Sequence, residues 1–455
     1  MNSIIAILLT SMFYVVVGWQ LTYMLGKISK IERLGISFLL GNGLSTFVWF
    51  ILYRLGAQFD LLTLGFSGLT VFLVSYFINK LFKFKYQNLV IKKFTGLNLK
   101  IIYLVVILLL ISFVIGNYNP ISGWDAVALY DFRGHTIALN HSLKDLTDGS
   151  YYLSYPLMIS LDHAAIYMLK GISAQGLHSI ILMAFIAVVY GRMLKWTNSR
   201  LSLLTILFII LNEEIFSHST VAYTNLAYVV YLVAGFLYVI SPKEKSRELG
   251  YLFVGGIMIG LTTWIRSDVP FWMMGIVLIL IQGWKLRAKI LAVFSIFLIY
   301  QIRHTWLSFF TGVLISLSLR NEGLSNPITL NALKQISSSV PNIGIINKII
   351  ADLPEIIRYV YLYIFSPYRG LWLLTIPIAA VVIKKKDYRL LLLFLTILMS
   401  ALMVTVGIML FSATYPTWDQ IGGSARRMML FIVPLSIITS IYALHLIKTG
   451  RKYNA

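Results

Sequence analysis

The chain has 455 residues, 58% of them hydrophobic and 12% charged, with a mean hydropathy of +0.82. A soluble fold of this length cannot bury so much apolar surface, so the composition excludes a soluble globular class and reads as a polytopic membrane protein. The formal charge of +21, from 38 Lys and Arg against 17 Asp and Glu, is spread over short loops and forms no basic domain, which argues against nucleic acid as a partner.

A span needs about 20 apolar residues. Apolar runs at 3–25, 34–54, 61–79, 100–117, 156–170, 176–194, 201–216, 220–240, 250–265, 269–283, 289–318, 356–366, 370–383, 390–412 and 427–447 predict an all-α polytopic bundle of about 12–14 transmembrane helices. The opening segment lacks a basic start and a small-residue cleavage site, so it reads as a retained helix. Basic loops follow at Lys27, Lys30 and Arg33, at 80–99, and later in SPKEKSRE, WKLRAK, KKKDYR and KTGRK. The positive-inside pattern puts these on the cytoplasmic side and the N-terminus outside. Residues 118–155 then emerge on the external face. The stretch GRMLKWTNSR, 191–200, reads as cytoplasmic, which is incompatible with a simple span at 156–170 and leaves a partial or re-entrant helix there. A division into 1–99, a catalytic module 100–318, an external stretch 319–355 and C-terminal helices 356–455 follows.

With no cysteine, thiolate metal sites and disulfides are excluded, and any metal would rest on Asp, Glu, Asn or His. The segment GWDAVALYDFRG, 123–134, sets acids, an arginine and aromatics where the chain leaves the bilayer. It reads as a short helix on which Asp125 and Asp131 lie about 120° apart, so they are not a paired-carboxylate site. Asp125 shares its face with Leu129 and Phe132, and an idle carboxylate there would be costly. Asp131 can pair locally with His135 or Arg133. Tyr155-Pro156 reads as a helix start. Within that helix Asp162 is a polar intrusion, whose structural explanation is a contact with His163 or Lys170. Asn212, Glu213, Glu214 and His218 close one helix and Thr224 and Asn225 open the next; Glu213 or Glu214 can supply a second acid or a metal ligand. Arg266 and Asp268 mark a junction ended by Pro270. Arg369, Arg426 and Arg427 fall at expected external helix ends, where arginine suits phosphate and snorkelling is the plainer role. No Walker loop, GxSxG or HExxH occurs, which argues against ATP-driven pumps, serine hydrolases and zincins.

The N-x-P-I-S-G-W-D-A stretch after a span, the Y-P-L segment, the R-S-D junction and the late G-G-S-x-R-R…P helix together resemble the GT-C superfamily over roughly 100–435. Those are polytopic glycosyltransferases that use polyprenyl-phosphate sugars, such as protein mannosyltransferases and the lipid A aminoarabinose transferase. The resemblance implies a GT-C-like bundle with external juxtamembrane helices and Asp125 as general base. It implies Tyr155-Pro156 as an element that closes the site, the Arg266–Asp268 junction on the same face, and Arg426 or Arg427 near the lipid phosphate. About three helices precede Asp125, whereas many relatives carry the acid after their first span. Asn225 stands where some relatives have an Asp in a Y-x-D turn, so a second-acid role would pass to Glu213, Glu214 or Asp131. The expected partners are a polyprenyl-phosphate sugar donor, a lipid, glycan or protein acceptor, and membrane lipid; the resemblance fixes no cofactor, and a divalent metal stays open. A secondary transporter or flippase is the main rival, and a non-catalytic envelope assembly factor the next.

Overall fold

The computed structural model describes residues 3–84, 87–88, 96–146, 155–241, 248–266, 269–310, 343–414 and 426–450. The chain divides into two compact units, Met1–Ser325 and Asn326–Ala455. Helices dominate both, and the two-residue parallel pairing of Lys27–Ile28 with Gln87–Asn88 is the only strand pairing among the described residues.

In the first unit α1 (Ser3–Trp19) and α2 (Lys30–Arg54) run antiparallel and cross closely. A Cβ on Gly18 would lie 1.9 Å from the Ser37 carbonyl oxygen, and one on Gly41 1.8 Å from that of Tyr14. Small residues at such a crossing let two backbones touch, which is how helices gain packing where lipid gives no hydrophobic drive. Then come α3 (Leu61–Leu81), started by an Asp60–Thr63 capping box, and α4 (Leu97–Tyr118). A π-helical turn (Ala126–Asp131) leads into α5 (Phe132–Asn140). Next are α6 (Met158–Met168), α7 (Leu177–Trp196), α8 (Ser199–Ile210), the short α9 (Glu213–His218), α10 (Thr224–Val239), α11 (Glu248–Ile265), α12 (Val269–Ile281) and α13 (Leu286–Phe310). The first helices pack in the same unit as the later ones: α2 lies against α7, and α1 against α6.

The second unit holds α14 (Ile343–Ala351), α15 (Leu353–Val360) running into a π-turn (Tyr361–Phe365), α16 (Arg369–Lys385), α17 (Tyr388–Thr414) and α18 (Ile432–Thr449). The helix Leu353–Phe365 bends by 86° into α16.

Seven described helices are long and apolar enough to cross a membrane, or eight if the bent pair counts as one span. Four further apolar helices, Ser199–Ile210, Thr224–Val239, Leu249–Ile265 and Phe271–Ile281, are shorter than that. This is fewer than the 12–14 full spans expected from apolar runs. A 12-residue helix is only about 18 Å long, against about 30 Å of hydrocarbon. The chain is an all-α, membrane-embedded protein.

Two ends of the first unit can be told apart. At one end lie the close of α1, the start of α2 and the ends of α7 and α10, tied by the buried Arg192–Glu32 ion pair (3.3 Å), the Arg192–Ser241 hydrogen bond and Lys195 Nζ donating to Tyr251 Oη (2.6 Å). Lys27, Lys30, Arg33, Lys195 and Arg200 belong to this end. At the other end lie the start of α1, the α2–α3 turn, the close of α4, all of α5, and the start of α10.

Helix α6 is not a span. Its 11 residues cover about 16 Å. Its leading flank is held by Arg133, which donates to the carbonyls of Tyr155 (2.9 Å) and Pro156 (3.0 Å). Its trailing flank is held by Ser3 Oγ, which accepts from the backbone N–H groups of Ile172 (2.9 Å) and Ser173 (3.0 Å). Both flanks therefore sit at the same end of the bundle, while the helix itself is buried among α1, α2 and α5.

Candidate functional site

The chain leaves α4 at Tyr118 and turns through Pro120 and Gly123. Gly123 has φ +92°, and a Cβ there would lie 2.2 Å from Tyr223 Oη, so glycine is required by backbone and by space. This packs the 118–125 segment against the start of α10. The single short helix expected over 124–134 is instead a π-turn running into α5. Such turns recur at functional sites because they displace side chains from the regular α register. The far end of α5 is pinned to the α2–α3 turn: Phe59 N–H donates to the His141 carbonyl (3.0 Å), and Tyr53 Oη contacts Ser142 Oγ (3.1 Å).

Asp125 is half-buried beside Trp124, which is 78% accessible. It lies close enough to Tyr130 to push that phenol upward. Burial is the larger upward push on Tyr130, opposed by Arg266, by the hydrogen bond to Thr224 and by Arg133; the balance stays raised, so Tyr130 keeps its proton. Tyr130 Oη and Thr224 Oγ1 share a hydrogen bond of 3.1 Å across to α10. Arg266, half-buried at the close of α11, donates to Asn225 Oδ1 and lies 5.9 Å from the Tyr228 ring. Asn225 is a neutral acceptor, so this bond orients the guanidinium without neutralising it. Asp125, Tyr130, Thr224, Asn225 and Arg266 thus form one neighbourhood at the end of the bundle away from the Glu32–Arg192 pair.

Asp131 faces elsewhere. Its Oδ1 accepts from His163 Nδ1 (3.0 Å) and from Tyr167 Oη, and His135 Nε2 lies 3.7 Å from Oδ2. Burial pushes this carboxyl up, but the hydrogen bond and charge of His163, with Tyr167 and His135, outweigh it and hold Asp131 below the usual carboxylate range. The pairing with His135 is as expected from i,i+4 spacing; the pairing with Arg133 is not found. Arg133 is fully buried, 5.6 Å from the Tyr130 ring, and spends its guanidinium on Ser160 Oγ (2.9 Å) and the two carbonyls before α6. It is a strut between α5 and α6. The helix predicted to start at Pro156 starts at Met158.

Asp162 contacts neither His163 nor Lys170 through a hydrogen bond or ion pair. It accepts from Tyr14 Oη (2.8 Å) and Asn42 Nδ2 (3.2 Å) and is fully buried. Sequence reasoning missed both partners, which lie 148 and 120 residues away, and no local signal points to them.

Glu213 is exposed and Glu214 half-buried in the first turn of α9, which Asn212 caps through Ile215 N–H. Their charge suits a helix N-terminus. Among the described residues no three His, Asp or Glu side chains converge as a metal site. Asp268 lies outside the described residues. In the second unit Arg369 opens α16 and is exposed, and the neighbouring Tyr368 Oη donates to the Arg426 carbonyl (2.9 Å), so Arg369 and the Arg426–Arg427 pair share one end of that unit. Tyr155 is half-buried, and its carbonyl is the part engaged by Arg133.

Comparison with protein-family models, curated proteins and solved structures finds no match to this chain. A carboxylate, a phenol and a guanidinium meet where a helix leaves an apolar bundle. Such a set can accept a proton, donate a hydrogen bond and bind an anionic oxygen at once.

Proposed function

We propose that this protein is an integral-membrane glycosyltransferase of the GT-C type. It moves a sugar from a polyprenyl-phosphate donor to a hydroxyl of a lipid, glycan or protein acceptor. The observation that carries the reading is the grouping of Asp125, Tyr130 and Arg266 at the end of the bundle opposite the basic one. By the positive-inside rule the basic end is cytoplasmic, so the reaction occurs on the external face. Asp125 takes the proton from the acceptor hydroxyl as its oxygen attacks the anomeric carbon. The bond from that carbon to the phosphate oxygen breaks, and the polyprenyl phosphate leaves with the electron pair, inverting the anomeric centre. Arg266, oriented by Asn225, meets the charge that grows on the phosphate. Tyr130 stays protonated and donates. Tyr155 belongs to the same end of the first unit, while Arg369, Arg426 and Arg427 belong to the second unit and are given no step. Glu213, Glu214 and Asp131 are the candidates for a second acid; of these Asp131 is already engaged by His163 and Tyr167. A divalent metal is compatible with the reading but is given no step.

The test is incubation of the purified protein in lipid with a panel of labelled polyprenyl-phosphate sugars. Release of polyprenyl phosphate from one donor, and its loss in Arg266→Gln, supports the reading. Consumption of no donor, together with movement of a lipid or solute across proteoliposomes, contradicts it. Transport is the second reading because one observation favours it: Asp162 lies buried deep in the bundle, away from the end-of-bundle acids.

A further inference from the structure

The second unit carries an exposed apolar face that the proposed reaction does not use. Helix α15 and the π-turn after it, Leu353–Phe365, present three different sides. On the first, Ile356, Tyr359, Val360 and Ile364 are buried, and α15 packs on α17. Leu353, Ile357 and Tyr361 follow at i, i+4 and i+8, so they share a second side, and Phe365 continues it through the π-turn. All four are exposed, Ile357 by 60% and Tyr361 by 56%. The third side is charged: Arg358 Nη1 lies 3.4 Å from Glu355 Oε2, and both side chains stand in the open. An apolar stripe beside a charged edge suits a helix that lies along the boundary between acyl chains and headgroups.

The direction of the helix agrees. Leu353–Phe365 meets α16 at 86°. Helix α16 has 17 residues, about 25 Å of length, and Arg369 and Lys384 near its two ends can reach past the hydrocarbon edge. It therefore covers most of the roughly 30 Å of hydrocarbon by itself. A helix at right angles to one that crosses the membrane runs in the membrane plane. Entering the core as the first half of a broken span would instead carry Glu355 and Arg358 into hydrocarbon, at high cost. The apolar surface also continues around the bend. The rings of Phe365 and Trp372 lie 5.0 Å apart, and Leu373 and Ile376 of α16 are exposed beyond them.

We infer that Leu353, Ile357, Tyr361 and Phe365 seat the 353–365 segment flat in the bilayer surface, as an interfacial anchor of the second unit. The lysine-bearing end of α16 is the cytoplasmic one by the positive-inside rule, so the anchor meets the outer leaflet. Charge on the lipid is not what holds it. Between Ile343 and Phe365 the two acids, Asp352 and Glu355, balance the two bases, Lys348 and Arg358. Apolar area does the holding, and neutral lipid suffices. The seating does not depend on what the first unit catalyses.

The chain has no cysteine, so a fluorophore on a single introduced cysteine tests the seating in the full protein, in nanodiscs of phosphatidylcholine alone. The labelled variants are Ile357→Cys, Glu355→Cys and, about 10 Å along α16 from Arg369, Ile376→Cys as a deep reference. Tyr361→Cys stands in should Ile357→Cys fail to fold. The quenchers are iodide in the water and lipids with a nitroxide near the headgroup or near the chain end. The label at 357 is expected to lose most of its emission to the shallow nitroxide and little to iodide. The label at 355 is expected to lose it to iodide, and the one at 376 to the deep nitroxide. Deep quenching at 357 as strong as at 376 would make the segment half of a broken span and overturn the anchor. Quenching at 357 by iodide alone would put the stripe in water, and overturns it too. So does a label at 357 that no quencher reaches, since protein, either the first unit or a second copy, would then cover the stripe.

Discussion

Asp131 and Arg133 sit two residues apart and do different work. The carboxyl of Asp131 is held below its ordinary value, so its folded-state pKa is lower than its unfolded one. The sign follows from linkage: its contribution to stability is present in full above the unfolded value, about 3.9, and is lost as pH falls through the folded one. Thermal midpoints of wild type and Asp131→Asn in detergent should therefore differ near neutrality and converge on acidification below about pH 4. A gap that widens on acidification would contradict this assignment. Arg133→Leu removes donors from Ser160 Oγ and from the Tyr155 and Pro156 carbonyls, and should cost at least about 2 kcal/mol, read as a lowered unfolding midpoint. Arg133→Lys, which keeps the charge but not the fork, should recover only part of the loss. An unchanged midpoint in Arg133→Leu would show that the strut carries no stability. Asp125 was legible in the sequence as an acid where a span ends. The partners of Asp131 on α6 were not, because they come from a helix 32 and 36 residues further on.

Hydropathy reads composition, and composition does not say whether an apolar run faces lipid or protein. The run at 156–170 looked like a span, but it folds as an 11-residue helix surrounded by other helices. The basic stretch 191–200 was the sequence signal against a simple span, and the bonds from Ser3 and Arg133 supply the physical reason. The chain has no cysteine, so single cysteines can be introduced without interference. Cysteines at Leu139 and Ile172, both well exposed, should react with an impermeant maleimide from the same side, and one at Arg200 from the other. Labelling of 139 and 172 from opposite sides would make α6 a true span. The α1–α2 crossing makes a sharper packing prediction. Gly41→Leu must push apart backbones that leave no space for even a Cβ, so the variant should unfold at a clearly lower temperature or fail to accumulate.

Across the whole chain, the all-α membrane class followed from apolar content alone, and the asymmetry of the basic residues reappears as a basic end of the first unit. What the sequence could not supply is which of many polar residues meet. Tyr130 lies 94 positions before Thr224 and its neighbour Asn225, and only the return of α10 beside the π-turn joins them near Asp125 and Arg266. The central claim is that this neighbourhood transfers a sugar with Asp125 as base. The most direct measurement is the rate of sugar transfer from a labelled polyprenyl-phosphate donor by wild type and by Asp125→Asn, each shown to be folded. Asparagine keeps the shape but cannot take the proton, so the variant should be slower by about a hundred-fold or more. Equal rates in the two proteins would remove Asp125 from the chemistry.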